Sequence, residues 1–130
     1  MPIGEYFQTA DWKKEKHAPV IECSDVINTG EELVISLTIG KEIPHPNTTE
    51  HHINWIALYF KPETEKFPIM VGRYDFLGHG ASIKGVNEGS LYTAPKVQTT
   101  IKINNSGTLM ATSYCNIHGL WESTKEIKVA

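Results

Sequence analysis

Histidines are concentrated in one short part of the chain. Three of the six histidines, His45, His51 and His52, fall within eight residues between two strand-like runs. Imidazole is the commonest metal ligand among protein side chains and suits iron, copper, nickel and zinc, so this clustering indicates a transition-metal site. Pro44 and Pro46 flank His45, fix φ on both sides of it and remove two backbone donors. The segment therefore has the stiff backbone that a preorganised ligand needs.

Two other segments carry residues of the same chemistry. Near the end of the chain, Cys115 and His118 are three positions apart, so one thiolate and one imidazole can reach a single ion. Near its start, His17 follows a short charged stretch. Three separated segments thus each contribute a histidine, and one of them adds a cysteine.

Together these segments resemble the superoxide reductase family, in particular its neelaredoxin type. The resemblance is carried by EKH-x-P at 15–19, by KEIPHPN-x-x-EHH at 41–52 and by YCNIHGLW at 114–121, all in the family's order. It runs from about Trp12 to Trp121, which is nearly the whole chain. Three matching motifs in one sequence are far more specific than any single histidine.

The resemblance implies one mononuclear non-haem iron per chain, bound by four imidazoles and by one thiolate on the axis. Glu15 and Lys16 match the family's mobile pair beside the open face of the iron. Glu15 is expected to become a sixth, carboxylate ligand in the ferric state, and Lys16 to help orient the water that delivers protons. The implied ligands of both oxidation states are His17, His45, His51, His118 and Cys115.

The implied activity is the one-electron reduction of superoxide to hydrogen peroxide. Four neutral imidazoles and one thiolate would leave a ferrous site positively charged, which attracts the superoxide anion. The thiolate would push electron density onto the iron, as thiolates do in some haem enzymes. By resemblance, rubredoxin or a similar small carrier restores the ferrous state, and the protein forms a homodimer or homotetramer.

Two alternatives come from other functional classes. A cupredoxin is also a β-sandwich with Cys and His near its carboxyl end, but its copper site usually adds a weak axial methionine. The last methionine here, Met110, precedes Cys115, which weighs against copper. A zinc-stabilised, non-enzymatic sandwich would need only four ligands in a closed tetrahedron, fewer than this chain offers.

The remaining histidines and cysteine have simpler interpretations. Alternation along the following strand points His52 away from His51, so we expect a hydrogen-bonding role for it. We expect His79, between two glycines, to be solvated or locally hydrogen-bonded, and Cys23 to be a small buried apolar residue.

Composition limits the protein class. The 130 residues fit one domain, 1–130, with an N-terminal arm at 1–19 that carries Glu15, Lys16 and His17. A net charge of −3 favours neither nucleic acid nor an anionic membrane as a partner. The first twenty residues lack an apolar signal region and no apolar run could cross a bilayer, so we expect a cytoplasmic protein. Two cysteines exclude the extra four-cysteine iron centre that some superoxide reductases carry.

The strand pattern predicts the scaffold. Leu33, Ile35 and Leu37 alternate with polar or smaller residues, which indicates a half-buried strand, and the run after the histidines is apolar on both faces, as in a central strand. About seven short strands without a useful helix predict an all-β, immunoglobulin-like antiparallel β-sandwich. The predicted strands are 20–26, 31–39, 53–60, 67–76, 97–103, 108–114 and 126–129, with a further short one at 91–93 and one helical turn at 11–14.

Overall fold

The computed structural model describes all residues from Met1 to Ala130, and nearly all of its regular structure is β. Its strands form a three-stranded sheet and a five-stranded sheet whose apolar faces share one core. The predicted all-β sandwich is therefore confirmed. The strands are β1 Val20–Glu22, β2 Val26–Ile27, β3 Leu33–Thr38, β4 Ile53–Pro62, β5 Ile69–Asp75, β6 Lys96–Ile101, β7 Gly107–Cys115 and β8 Gly119–Val129.

The order of strands makes β7 and β4 neighbouring interior strands of the larger sheet. The smaller sheet has the order β1-β3-β6, and the larger has the order β2-β8-β7-β4-β5. All pairings are antiparallel except that of β2 with β8, which is parallel. The two strands that lead into and out of the predicted metal ligands are thus neighbours.

The core follows from alternation in β3 and from β4, which has one buried face and one partly buried face. In β3, Leu33, Ile35 and Leu37 are buried whereas Val34 between them is 51% exposed, so one face of the strand meets the opposite sheet. Across the core, Leu58 of β4 is fully buried. Removing one such side chain from water stabilises the folded protein by roughly 1.5–3 kcal/mol.

One irregularity in the larger sheet lies beside the histidine segment. Ile53 pairs with Cys115 and Trp55 pairs with Tyr114, so Asn54 is an extra residue in β4. Such bulges bend a strand and redirect its side chains, and they are common next to active sites. The bulge lies at the point where the chain passes from the histidine segment into the sheet.

Several boundaries differ from the sequence-based expectations. The predicted strand 20–26 is two strands, because the chain bends at Cys23–Asp25 and crosses from the smaller sheet to the larger. The predicted strand 91–93 provides only an isolated bridge between Tyr92 and His79. By contrast, β8 begins at Gly119, well before the predicted 126, because its whole length pairs with β7.

The N-terminal arm is fastened to the sandwich. A hydrogen-bonded turn occurs where one was predicted, with the Lys14 amide donating to the Asp11 carbonyl at 2.9 Å. Farther upstream, Gln8 forms a parallel bridge with Trp121 of β8. This attachment carries His17 to the same end of the sandwich as the other predicted ligands. The only helix is a 3-10 helix of four residues, Ile3–Tyr6, and it is too short to cross a bilayer.

Candidate metal centre

Four potential ligands from three distant segments converge at one end of the sandwich. One nitrogen from each of His17, His45 and His51 and the sulfur of Cys115 all lie within 4.8 Å of one another. The arm supplies the first, the segment before β4 supplies the next two, and the end of β7 supplies the cysteine. The fold therefore brings together residues that are up to 98 positions apart, counting from 17 to 115.

His17 is held by contacts on two sides of its ring. The imidazole is 5% exposed and stacks on Trp121, with ring centroids 4.8 Å apart and planes 9° apart. Its Nδ1 lies 2.5 Å from Oε1 of Glu15, which leaves Nε2 facing the cluster. A carboxylate on the outer nitrogen fixes the orientation of a ligating histidine and raises its basicity.

Glu15 is itself held by hydrogen bonds from two backbone amides. Its Oε2 accepts hydrogen bonds from the backbone amides of His17 at 2.6 Å and Ala18 at 3.1 Å. Burial alone would raise the pKa of Glu15, but the hydrogen bonds from His17 outweigh it and lower the pKa. The carboxylate is therefore ionised at neutral pH and can accept a hydrogen bond from the N–H of the His17 imidazole.

His45 also has one nitrogen occupied and one free. Its Nδ1 donates to the carbonyl of Pro46 at 2.6 Å, and its Nε2 lies 3.4 Å from Sγ of Cys115. Desolvation by burial lowers the pKa of His45 to about 4, so the ring is neutral at physiological pH and its Nε2 lone pair is available. Gly40 has φ +80°, and a Cβ there would lie 2.6 Å from the His45 amide nitrogen, so this approach of the chain requires glycine.

His51 shows the clearest sign of a missing partner. Its backbone amide donates to Oγ1 of Thr48 at 3.1 Å, which fixes the turn, but its Nε2 is buried without any hydrogen-bond partner in the protein. Buried polar atoms are nearly always satisfied, so this nitrogen is suited to a metal ion. Burial also lowers the pKa of His51, with a smaller contribution from the charge of neighbouring groups that include Lys16. A neutral imidazole is the form that binds a metal.

Cys115 and His118 occupy the tight connection between β7 and β8. Cys115 is fully buried, and its sulfur accepts a hydrogen bond from the His118 amide at 3.4 Å. His118 is exposed and falls outside the tightest cluster of four, although its Nδ1 lies 3.2 Å from Nε2 of His17 and 3.9 Å from the sulfur. Gly119 has φ +83°, a conformation that lets the chain reverse into β8.

The distances fit a shared ion. Two ligand atoms that share one ion, with bonds of about 2.1 Å to nitrogen and about 2.3 Å to sulfur, lie about 3–4 Å apart. The separations of 3.2 Å between His17 and His118 and of 3.4 Å between Cys115 and His45 fall in that range. A soft thiolate among imidazoles favours a transition metal. His118, beside this cluster of four, would add a fifth donor, one more than structural zinc requires.

The two histidines that were not predicted to ligate lie together elsewhere. The rings of His52 and His79 stack with centroids 3.6 Å apart and planes 4° apart. The Nδ1 of His52 lies 2.9 Å from the Thr48 carbonyl, and the Nε2 of His79 lies 2.5 Å from the Phe76 carbonyl. Desolvation lowers the pKa of His79, so its ring is neutral at pH 7. The pair packs the histidine segment against the following loop.

The other singled-out residues lie outside the cluster. Cys23 is a half-buried free thiol that packs against the core, and burial raises its pKa. Met110 lies within β7 and pairs with Tyr59 and Thr124, so it is part of the sheet. Sequence reasoning missed the contact between Glu15 and His17, and only their spacing of two residues could have suggested it.

The chain is similar to known proteins over nearly its whole length. The desulfoferrodoxin family model matches residues 9–124. The neelaredoxin of Megalodesulfovibrio gigas is 53% identical over 127 residues, which cover 98% of this chain and 98% of that protein. The superoxide reductase of Pyrococcus furiosus is 51% identical over 121 residues, which cover 93% and 95%. The structure of the superoxide reductase (neelaredoxin) from Archaeoglobus fulgidus in the reduced form has a TM-score of 0.89 and 53% identity, covering 95% of this chain and 99% of that one.

Proposed function

Since the chain belongs to the desulfoferrodoxin family, we propose that it is a superoxide reductase, which converts superoxide to hydrogen peroxide at a mononuclear iron. The observation that carries this proposal is the convergence of three imidazole nitrogens and one thiol sulfur within 4.8 Å, with the buried Nε2 of His51 lacking any protein partner. Both the chemistry of this donor set and the family membership support iron as the metal.

Five side chains are proposed to hold the iron. Four neutral imidazoles and one thiolate contribute a single negative charge, so a ferrous ion leaves the site cationic and attractive to an anion. When bound, the iron supplies the one electron that superoxide accepts. The thiolate of Cys115 would make a bound iron a better electron donor, as thiolates do in some haem enzymes. The proposed ligands are His17, His45, His51, His118 and Cys115.

Glu15 is proposed as a sixth ligand of ferric iron. In the structure its carboxylate contacts Nδ1 of His17 and two backbone amides. To bind a ferric ion, Glu15 would have to leave these contacts. In the structure, its carboxylate orients the ring of His17.

Proton delivery is assigned to water and to Lys16. Superoxide needs one electron and two protons to become hydrogen peroxide, and the ammonium of Lys16, the residue directly before His17, can orient the water that donates them. Lys16 lies close enough for its charge to add to the lowering of the pKa of His45 and His51, which burial mainly causes. A small external carrier such as rubredoxin returns the electron. We further propose a cytoplasmic homodimer or homotetramer.

A donor-dependent assay tests the activity. With superoxide generated continuously and reduced rubredoxin supplied, we expect peroxide to form without matching oxygen evolution and with one reductant electron consumed per superoxide. The reason is that a reductase must take each electron from outside. Sustained removal of superoxide with no donor present would instead identify a dismutase, and copper or zinc in place of iron in protein made with ample iron would contradict the metal assignment.

Lys16 has a separate expected effect. We expect Lys16→Ala to slow capture of superoxide roughly tenfold, because an ammonium beside an open cationic site steers an anion. Iron content should stay unchanged, since Lys16 is not a ligand. Stopped-flow rates at increasing salt should also fall for the wild-type protein, because exposed charges are screened over roughly 8 Å at physiological ionic strength.

The matched control is Lys14→Ala, which removes an exposed ammonium from the same arm. Equal slowing in both variants would assign the effect to the net charge of the arm. A Lys16→Ala rate equal to that of the wild-type protein would make Lys16 an ordinary surface residue.

A further inference from the structure

The two ligand-bearing segments meet where regular pairing of β4 with β7 ends. The last paired residues are Ile53 and Cys115. Beyond them the chain leaves the sheet on both sides, toward His51 on one strand and toward His118 on the other. Two ligands on separate irregular segments need a specific connection if their spacing is to be fixed before a metal binds.

Asn116 supplies that connection through three hydrogen bonds. Its backbone amide donates to the His52 carbonyl at 3.2 Å. Its side-chain Oδ1 accepts from the His52 amide at 2.9 Å, and its Nδ2 donates to the Glu50 carbonyl at 2.8 Å. The carboxamide thus acts as an additional peptide group, with one acceptor and one donor, and continues the pairing past the end of both strands.

These bonds connect the immediate neighbours of two proposed ligands. His51 lies between Glu50 and His52, both of which are bonded to Asn116, and Cys115 directly precedes Asn116. We propose that Asn116 is a positioning residue that fixes His51 relative to Cys115 in the metal-free protein. The proposal rests on the assignment of these two residues as ligands of the metal centre.

The side chain required at this position is narrowly defined. The substitution Asn116→Asp would keep the acceptor for the His52 amide but would lose the donor for the Glu50 carbonyl, and it would place a negative oxygen against that carbonyl. Alanine would remove both side-chain bonds. A preorganised site avoids the cost of ordering its ligands when the metal binds. Loss of these hydrogen bonds should therefore weaken metal retention more than it weakens the stability of the fold.

The test compares Asn116→Ala and Asn116→Asp with Asn105→Ala, which removes an exposed asparagine from the remote turn before β7. Each protein is loaded with iron, and in parallel with cobalt, and then titrated with a chelator. We expect Asn116→Ala to release metal at a roughly 10- to 100-fold lower chelator concentration than the wild-type protein, the usual effect of removing a group that orients a ligand. Asn116→Asp should release metal at a chelator concentration between those of Asn116→Ala and the wild-type protein. Asn105→Ala should match the wild-type protein.

Two further measurements separate positioning from general stability. The sulfur-to-metal absorption band should shift in both Asn116 variants, while the metal-free variants should remain fully folded at the assay temperature, with only the modest fall in melting temperature that the lost hydrogen bonds cause. Unchanged retention with an unchanged band would overturn the proposal. So would retention that falls only in proportion to the folded fraction, because that would make Asn116 a stabilising residue without a specific effect on the ligands.

The outcome is independent of the activity assay. If the wild-type protein fails to reduce superoxide but the Asn116 variants lose cobalt easily, the proposed function is wrong and the positioning role stands. If the wild-type protein is an active reductase and the variants retain metal equally well, the positioning role is wrong and the function stands.

Discussion

Cys115→Ser is expected to abolish the visible absorption of the ferric protein and to lower superoxide reduction by more than about a hundredfold. Removing a group that merely orients a ligand costs roughly 10- to 100-fold, and removing the ligand itself should cost more. The sulfur is fully buried at the end of β7 and lies 3.4 Å from Nε2 of His45. A serine hydroxyl of similar shape is a weak, neutral donor, so the sulfur-to-iron band disappears and the electron density that drives turnover is lost.

Iron itself should remain partly bound in this variant, because the imidazoles are unchanged. The measurements are the absorption spectrum of the oxidised protein, the iron content and the steady-state rate. Cys23→Ser is the matched control, since Cys23 is the only other cysteine and lies outside the cluster. It should keep both colour and activity and lose only some stability, as a half-buried sulfur becomes a hydroxyl. Colour that survives in Cys115→Ser would show that the ligand set is wrong.

The second large effect is expected from His51→Ala, which should reduce the iron content from one per chain to a small fraction. His51 is the proposed ligand whose buried Nε2 has no protein partner, so the alanine variant loses a metal bond and gains no compensating contact. Loss of iron should be accompanied by loss of superoxide reduction. Elemental analysis of protein prepared with ample iron gives the stoichiometry directly.

The adjacent histidine provides the control. His52→Ala removes a hydrogen bond to the Thr48 carbonyl and the stack on His79. The expected cost is about 1–2 kcal/mol of unfolding free energy, because a hydrogen bond and a ring contact each contribute about 1 kcal/mol. Iron content should stay near one per chain. If His52→Ala loses iron and His51→Ala retains it, the two histidines have been assigned the wrong way round.

The sequence by itself determined the class of the fold and the identity of the candidate ligands. Alternation of Leu33, Ile35 and Leu37 identified a half-buried strand, because every second side chain of a strand lies on the same face of the sheet. The run of β4, apolar on both faces, identified an interior strand of the larger sheet, because such a strand has neighbours on both sides and little exposed surface. The three motifs with His and Cys identified the family without any tertiary information.

Local pattern failed where pairing over long distances decides the structure. Residues 119–125 show no clean alternation, yet they are strand in β8 because β7 pairs with them along their whole length. The run 20–26 looks continuous, yet Val20 and Val26 belong to different sheets. In both cases the backbone hydrogen bonds go to partner strands that the local sequence pattern does not identify.

Only the tertiary structure decided how the candidate ligands are held. The outer nitrogen of His17 is bound by Glu15, which had been predicted only as a ligand of ferric iron, and its ring stacks on Trp121 from the far end of the chain. The segment that carries His51 is bonded to Asn116, which had no predicted role. Residue types and motif spacing can name a set of donors, but the orientation of each imidazole depends on the group that its other nitrogen or its neighbouring peptide meets, and those groups come together only when the chain folds.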